Sequence, residues 1–121
     1  MLQEYSVTIT TSAAQTATVY AGSRIVGTVQ AIKYEPGTLD TGADLTITGE
    51  TTGVPILAVA AAGGSDVWFY PRRLVSKSAD GAAATDAFAP IWVYLERIKI
   101  VVATGGDTLT GTITFYVDEE Q

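Results

Sequence analysis

The chain has 121 residues with no cysteine and no histidine, and thirteen acidic residues against seven basic ones give a net charge of −6. These absences exclude disulfides, thiolate and imidazole metal ligands, and nucleophile systems that depend on histidine. The acidic balance argues against binding to nucleic-acid phosphates or to an anionic membrane, because both need clustered Lys and Arg. We therefore expect neither nucleic acid nor membrane among its partners, and the length of 121 residues predicts a single compact domain over residues 1–121.

Apolar residues alternate with Thr along much of the chain, which is the period-2 pattern of strands with one buried face. In chain order this pattern predicts strands at 5–10, 16–21, 25–34, 43–48, 54–60, 67–70, 91–95 running on to 97–103, and 108–118. A slip of the pattern between Val29 and Ile32 predicts a β-bulge. No window of ten or more residues keeps a helical period. The sequence thus predicts an all-β fold, a single-domain antiparallel β-sandwich or small barrel of about eight to nine short strands with little or no helix.

One segment lacks the alternation. "SKSADGAAATDAFAP", at about 76–90, is rich in Ala, Gly and Asp and predicts a loop of unusual length for a compact domain. One interpretation is a flexible surface excursion. The other is an arm that orders against a neighbouring subunit, with Phe88 as its apolar anchor. A mobile N-terminal stretch is a second segment that we expect to reach neighbours.

The stretch "LDTGAD", residues 39–44, resembles the catalytic triplet of retroviral-type aspartic proteases. In that family the triplet follows an apolar strand, whereas here it follows the Pro-Gly turn of "EPGT". We therefore expect a turn, in which Asp bonds following backbone amides, and no catalytic residue. Asp40 and Asp44, with Glu35 and Glu50 nearby in sequence, could offer oxygen ligands to Ca²⁺, but their spacing matches no known loop. We predict solvated carboxylates, with no metal site and no cofactor.

Two aromatic segments, "DVWFYPRR" and "PIWVYLER", each place a Trp and a Tyr on one face of a strand. Packing in the core or at its rim is the favoured interpretation, because large aromatic residues are mostly buried. If this face points outward, it is an apolar patch that binds protein or sugar. For the cations Arg72 and Arg73 we expect ion pairs within the chain or between subunits at an interface rim.

The phrases "AIKYEPGTLDTGADLTITGETTGVPIL", "SDVWFYPRRL" and "DAFAPIWVYLERIKIVVATGGDTLTGTITFYVD" resemble small virion structural proteins of tailed bacteriophages, which are encoded beside the capsid genes. The resemblance spans about residues 6–118. It implies a non-enzymatic head decoration or cement protein on the capsid surface, made in the host cytoplasm. Its partners would be the major capsid protein and copies of itself, since proteins of this class often form trimers. A head-to-tail connector or a tail accessory protein is the alternative, and a carbohydrate-binding module and an aspartic protease are more distant ones.

The family supplies no functional residues to carry over. From the sequence itself we expect the interface to include Arg72, Arg73, Phe88 and Trp92. Aromatic and Arg side chains are the residue types that most often anchor protein interfaces.

Overall fold

The computed structural model describes residues 1–119, with residue 86 described by its backbone alone. The described residues form eight strands: β1 Leu2–Thr10, β2 Ala17–Glu35, β3 Asp44–Gly49, β4 Pro55–Val59, β5 Val67–Phe69, β6 Arg72–Ser76, β7 Ala83–Ala103 and β8 Thr110–Glu119. None of the described residues lies in a helix. The prediction of an all-β, antiparallel, single-domain fold is confirmed.

The strands form one antiparallel sheet in the order β1-β8-β2-β7-β3-β4, with β5 added to β2 and β6 added to β7. Its two longest strands, β2 with 19 residues and β7 with 21, connect the halves of the sheet. The first part of β2 pairs with β7 from Ala17 to Val29, and its last part pairs with β8 from Gly27 to Glu35. No ladder joins β1 to β4 among residues 1–119, so the sheet is open and not a closed barrel.

Irregularities in the long strands allow the sheet to curve around its core. The register between β2 and β8 slips between Val29 and Ala31, which confirms the predicted bulge. In β7, Leu95 has a φ of 56° and lies between the paired residues Tyr94 and Glu96. Because bulges bend a strand and increase its twist, both long strands can follow the curved surface of the core.

The core is a single cluster to which six of the strands contribute. Ile9 of β1, Tyr34 of β2, Ile47 of β3, Ile100 of β7 and Phe115 of β8 are all fully buried in it. Their alternation with polar residues follows the period of two that predicts the strands. The hydroxyl oxygen of Tyr34 has no hydrogen-bond partner among the described atoms, and burial raises the pKa of this side chain.

A buried carboxylate secures the turn between β3 and β4. The side chain of Glu96, only 3% exposed, accepts hydrogen bonds from the amides of Thr51 and Thr52 at 2.7 and 2.8 Å and from the Thr52 hydroxyl at 2.7 Å. Burial alone raises the pKa of Glu96, but hydrogen bonds from Thr52, Thr51 and the Tyr94 backbone outweigh it and lower this pKa. A Cβ atom on Gly49 would lie 2.6 Å from a carboxylate oxygen of Glu96, so glycine leaves the space that the carboxylate occupies.

Two segments differ from the predictions. The predicted loop at about 76–90 contains a turn of only six residues, 77–82, because β6 ends at Ser76 and β7 begins at Ala83. The Ala-rich residues after this turn show no alternation in sequence, yet they form the start of β7, which pairs antiparallel with β6 as the second strand of a hairpin. The N-terminal stretch, predicted to be mobile, pairs with β8 at nine positions, and the Met1 amino group donates to Asp118 at 3.0 Å.

Candidate functional site: an aromatic face and a projecting arm

The aromatic residues of both predicted segments point outward. Trp68 and Tyr70 are 44% and 63% exposed, and Trp92 and Tyr94 are 40% and 53% exposed. The favoured interpretation, packing in the core or at its rim, is therefore wrong for this face. Successive side chains of a strand point to opposite faces. Val93 is fully buried and Phe69 packs against the core, so the Trp and Tyr beside each of them point to solvent.

These side chains line the outer side of the sheet along β2. Trp92 lies opposite Thr28, and Trp68 lies opposite Lys33. The centroids of the Trp92 and Tyr94 rings are 6.5 Å apart, as are those of Trp68 and Tyr70, and the Trp68 and Tyr116 centroids are 5.5 Å apart. We call the set Trp68, Tyr70, Trp92, Tyr94 and Tyr116 the aromatic face. A cation already lies on it, because Lys33 Nζ is 5.7 Å from the centroid of the Trp68 ring.

The second feature is a hairpin that leaves the sheet, and we call it the arm: β6, the turn at 77–82 and the first part of β7, residues 72–90. Among the described strands, β6 pairs only with β7, and β7 starts to pair with β2 at Ile91. Leu74 and Phe88 lie opposite each other on the arm, and Phe88 is 63% exposed. The arm therefore carries an apolar pair into solvent.

The four predicted interface residues occupy one region. Arg72 lies opposite Pro90 and Arg73 opposite Ala89 at the base of the arm, and Phe88 is on the arm itself. Trp92 follows Phe88 by four residues on the same strand, so the period of two places both on one face. Trp92 thus connects the arm with the aromatic face. Whether these residues contact a partner stays a prediction.

Of the ion pairs expected for the two arginines, those within the chain are absent among the described side chains, and those between subunits stay a prediction. Arg72 instead donates to two backbone carbonyls, that of Pro71 at 2.7 Å and that of Gln30 at 3.2 Å. The two ion pairs in the described part of the chain join Met1 to Asp118 and Arg97 to Glu50. The bond to Gln30 connects the base of the arm to β2.

"LDTGAD" forms the turn that its sequence predicts. Asp40 Oδ1 accepts a hydrogen bond from the Gly42 amide at 3.2 Å, and the Asp40 carbonyl accepts one from Ala43 at 3.1 Å. Asp44 begins β3, and its carboxylate accepts a bond from the Ala61 amide at 2.9 Å. Within the described residues, no three carboxylates gather to form a metal site. The two aspartates therefore act as local caps of their loops.

Two residues of this surface, the half-buried Tyr116 and the exposed Leu95, were not among the predicted site residues. Tyr116 shares its face of β8 with the Thr residues, and this Thr-rich alternation was the signal for its outward position. Leu95 is exposed beside Tyr94 because the bulge turns it away from the core. The sequence contained no signal for that bulge, since Leu continues the apolar run of "WVYL".

Comparisons with known proteins add no relationship: no protein-family model matches the chain, and no curated protein or solved structure matches it. No helix long and apolar enough to cross a membrane occurs in residues 1–119. The aromatic face and the arm are therefore the features from which a function is inferred.

Proposed function

We propose that the chain is a non-enzymatic structural protein of a tailed-phage virion, a head decoration protein that binds the assembled capsid and stabilises it. The observation that carries the proposal is the exposed apolar surface formed by the aromatic face and the arm. Large exposed apolar patches on soluble domains mark binding sites for other macromolecules. The sequence resemblance to small virion proteins supports the choice of partner.

The chemistry of the surface suits an interface. Trp, Tyr and Arg are the residues most enriched among those that dominate binding energy, and Trp92, Tyr94 and Arg72 lie on adjoining strands here. A protein that binds the assembled lattice and not its free subunits stabilises the intact shell by mass action. In this proposal Trp92 is an anchor on the capsid, and Arg72 lies at a charged rim that governs specificity.

The first test is the copy number of this chain relative to the major capsid protein in purified particles of the phage that encodes it, measured by quantitative mass spectrometry. A ratio near one to one supports a decoration role across the lattice. A number that corresponds to a single ring contradicts that role and favours the connector or tail alternative. Complete absence from particles refutes a virion role altogether.

A binding assay then tests the surface. Purified Trp92→Ser protein should lose binding to capsids that lack the native chain, because an anchor in a desolvated contact typically contributes about 2 kcal/mol or more. Tyr20→Ser is the matched control, since Tyr20 is an exposed aromatic residue of β2 outside the aromatic face. Equal binding by both variants would exclude Trp92 from the contact.

Carbohydrate binding is the second candidate, and the outward Trp68 and Tyr70 rings favour it, because their planes differ by only 10°. Parallel exposed rings present a surface on which the apolar face of a sugar can stack. A glycan array should then show hits that disappear in Trp68→Ala. An array without hits would contradict this candidate and leave the capsid proposal unchanged.

A further inference from the structure

The arm lacks the packing that normally stabilises a hairpin. A two-stranded ribbon alone is marginally stable in water, and a third strand or a packed layer usually supports it. Here the residues 84–87 of β7 lie opposite a single residue of β6, Val75, so the ladder is interrupted in its middle. At the tip, the turn is closed by hydrogen bonds of 2.7 and 2.8 Å that involve Lys77. A surface that covers the arm would supply the missing layer.

The charge of the arm is opposite to that of the rest of the chain. Three of the seven basic residues, Arg72, Arg73 and Lys77, lie on the arm, against two of the thirteen acidic ones. The remainder of the chain therefore holds four cations and eleven carboxylates, a formal charge of −7. Neither ion pair among the described side chains involves an arm residue. The negative charge that would attract the arm is thus carried by the rest of the same chain.

The aromatic face offers both chemistries that the arm requires. Its rings expose apolar area to Phe88, and rings of this kind attract guanidinium groups, as Tyr20 does at 4.1 Å from Arg97 in this molecule. Carboxylates lie beside it: Glu4 is the cross-strand partner of Tyr116, and Asp66 immediately precedes β5. Lys33 is the cation already on this face, over Trp68, and the carboxylates lie at its edge. A cationic arm with an apolar anchor matches a π-rich surface with such an acidic edge.

We infer that the arm of one copy binds the aromatic face of a second copy of this chain. Phe88 of the arm packs on Trp68 and Tyr70, and the basic residues Arg73 and Lys77 are directed at the acidic edge. Within one copy Phe88 stays 63% exposed, so the chain does not cover its own arm. Because arm and face are different surfaces, two copies can exchange arms in a two-fold dimer, and successive copies joined head-to-tail form a ring where the rotation closes.

Complementation between two variants tests this pairing. The arm variant combines Arg73→Glu, Lys77→Glu and Phe88→Ser, and the face variant combines Trp68→Ser and Tyr70→Ser. Analytical ultracentrifugation of the native chain should show concentration-dependent assembly that weakens as salt rises, because salt screens the exposed charge pairs. Each variant alone should lose association by about tenfold or more in dissociation constant. Mixed in equal amounts, they should form a two-chain complex and nothing larger, because only one intact arm and one intact face remain.

Several results would overturn the inference. A native chain that is monomeric at its highest soluble concentration excludes self-association through the arm, and variants that assemble like the native chain exclude these residues. A mixture that stays monomeric shows that the arm does not meet the face. Circular dichroism and urea unfolding check each variant, and Phe88→Ser alone replaces an arm variant that fails to fold. The inference does not depend on the virion role, because assembly is measured on the isolated chain and copy number on particles.

Discussion

Replacing Glu96 by Ala removes the acceptor of three hydrogen bonds that hold the turn between β3 and β4. A hydrogen bond to a charged group is worth roughly 1.5–3 kcal/mol, so three bonds at the lower figure total about 4–5 kcal/mol. Thr51 and Thr52 lie at the surface, and water replaces part of what is lost. We therefore expect the free energy of unfolding to fall by about 3 kcal/mol.

The loss should depend on pH with a defined sign. The pKa of Glu96 is lower in the folded chain than its ordinary value, because the hydrogen bonds from Thr52, Thr51 and Tyr94 outweigh the effect of burial. Its contribution to stability is fully present above the unfolded value of about 4.3 and is lost as pH falls through the folded value. The difference between native chain and variant should be constant from about pH 7 to 5 and should shrink below about pH 4.

Urea unfolding followed by circular dichroism at about pH 7, 5 and 3.5 measures this difference. Glu96→Gln is the matched control, since it keeps the size and one acceptor oxygen but does not titrate. Glu50 also titrates: its hydrogen bond and charge interaction with Arg97 lower its pKa, whereas the charge of Glu96 raises it, so Glu96→Gln also controls for the effect on Glu50 of removing that charge. A loss below about 1 kcal/mol at neutral pH, or a difference unchanged at about pH 3.5, would refute the role assigned to Glu96.

Three further substitutions have distinct expected effects on urea unfolding. Tyr34→Phe removes a buried hydroxyl without a partner and should raise the free energy of unfolding by about 1 kcal/mol; a decrease would show that the hydroxyl is hydrogen-bonded. Gly27→Ala places a Cβ 2.2 Å from the Asp118 carbonyl oxygen and should cost about 1–3 kcal/mol. Gly42→Ala, whose Cβ would meet only Asp40 Oδ1 at 4.0 Å, serves as its neutral control. Leu95→Gly should stabilise by about 0.5–1 kcal/mol, because relief of a positive φ outweighs the entropy cost of Gly, and a chain less stable than native would argue against strain at this bulge.

The strands outside the arm were predictable because their buried residues alternate with Thr, as Leu45 and Ile47 do in β3. The same alternation could not tell which face of a strand is buried. In "DVWFYPRR" the Trp and the Phe satisfy the pattern equally well, and only the position of β5 beside β2 places Trp68 outside. The strand β6 was missed because its residues "RRLVS" show no regular alternation.

The residues of the candidate site could be predicted from the sequence, but their arrangement in one surface region could not. Arg72, Phe88 and Trp92 were named from residue type, whereas their common region depends on the pairing of β6 with β7. This pairing was not predictable, because neither strand of the hairpin shows a regular alternation in sequence. The role of Glu96 was also not predicted. Its partners Thr51 and Thr52 lie more than forty residues away in the chain, and no local sequence pattern indicates such a contact.

The position of β8 between β1 and β2 determines when the chain can fold during its synthesis. Among the described strands β1 pairs only with β8, so Ile9 and its neighbours on β1 have no strand beside them until β8 has left the ribosome. Contacts between segments so distant in sequence form slowly, and apolar strand faces exposed in the meantime promote aggregation. Nascent chains that end before residue 110 should therefore depend on chaperones, whereas chains that include β8 should fold without them.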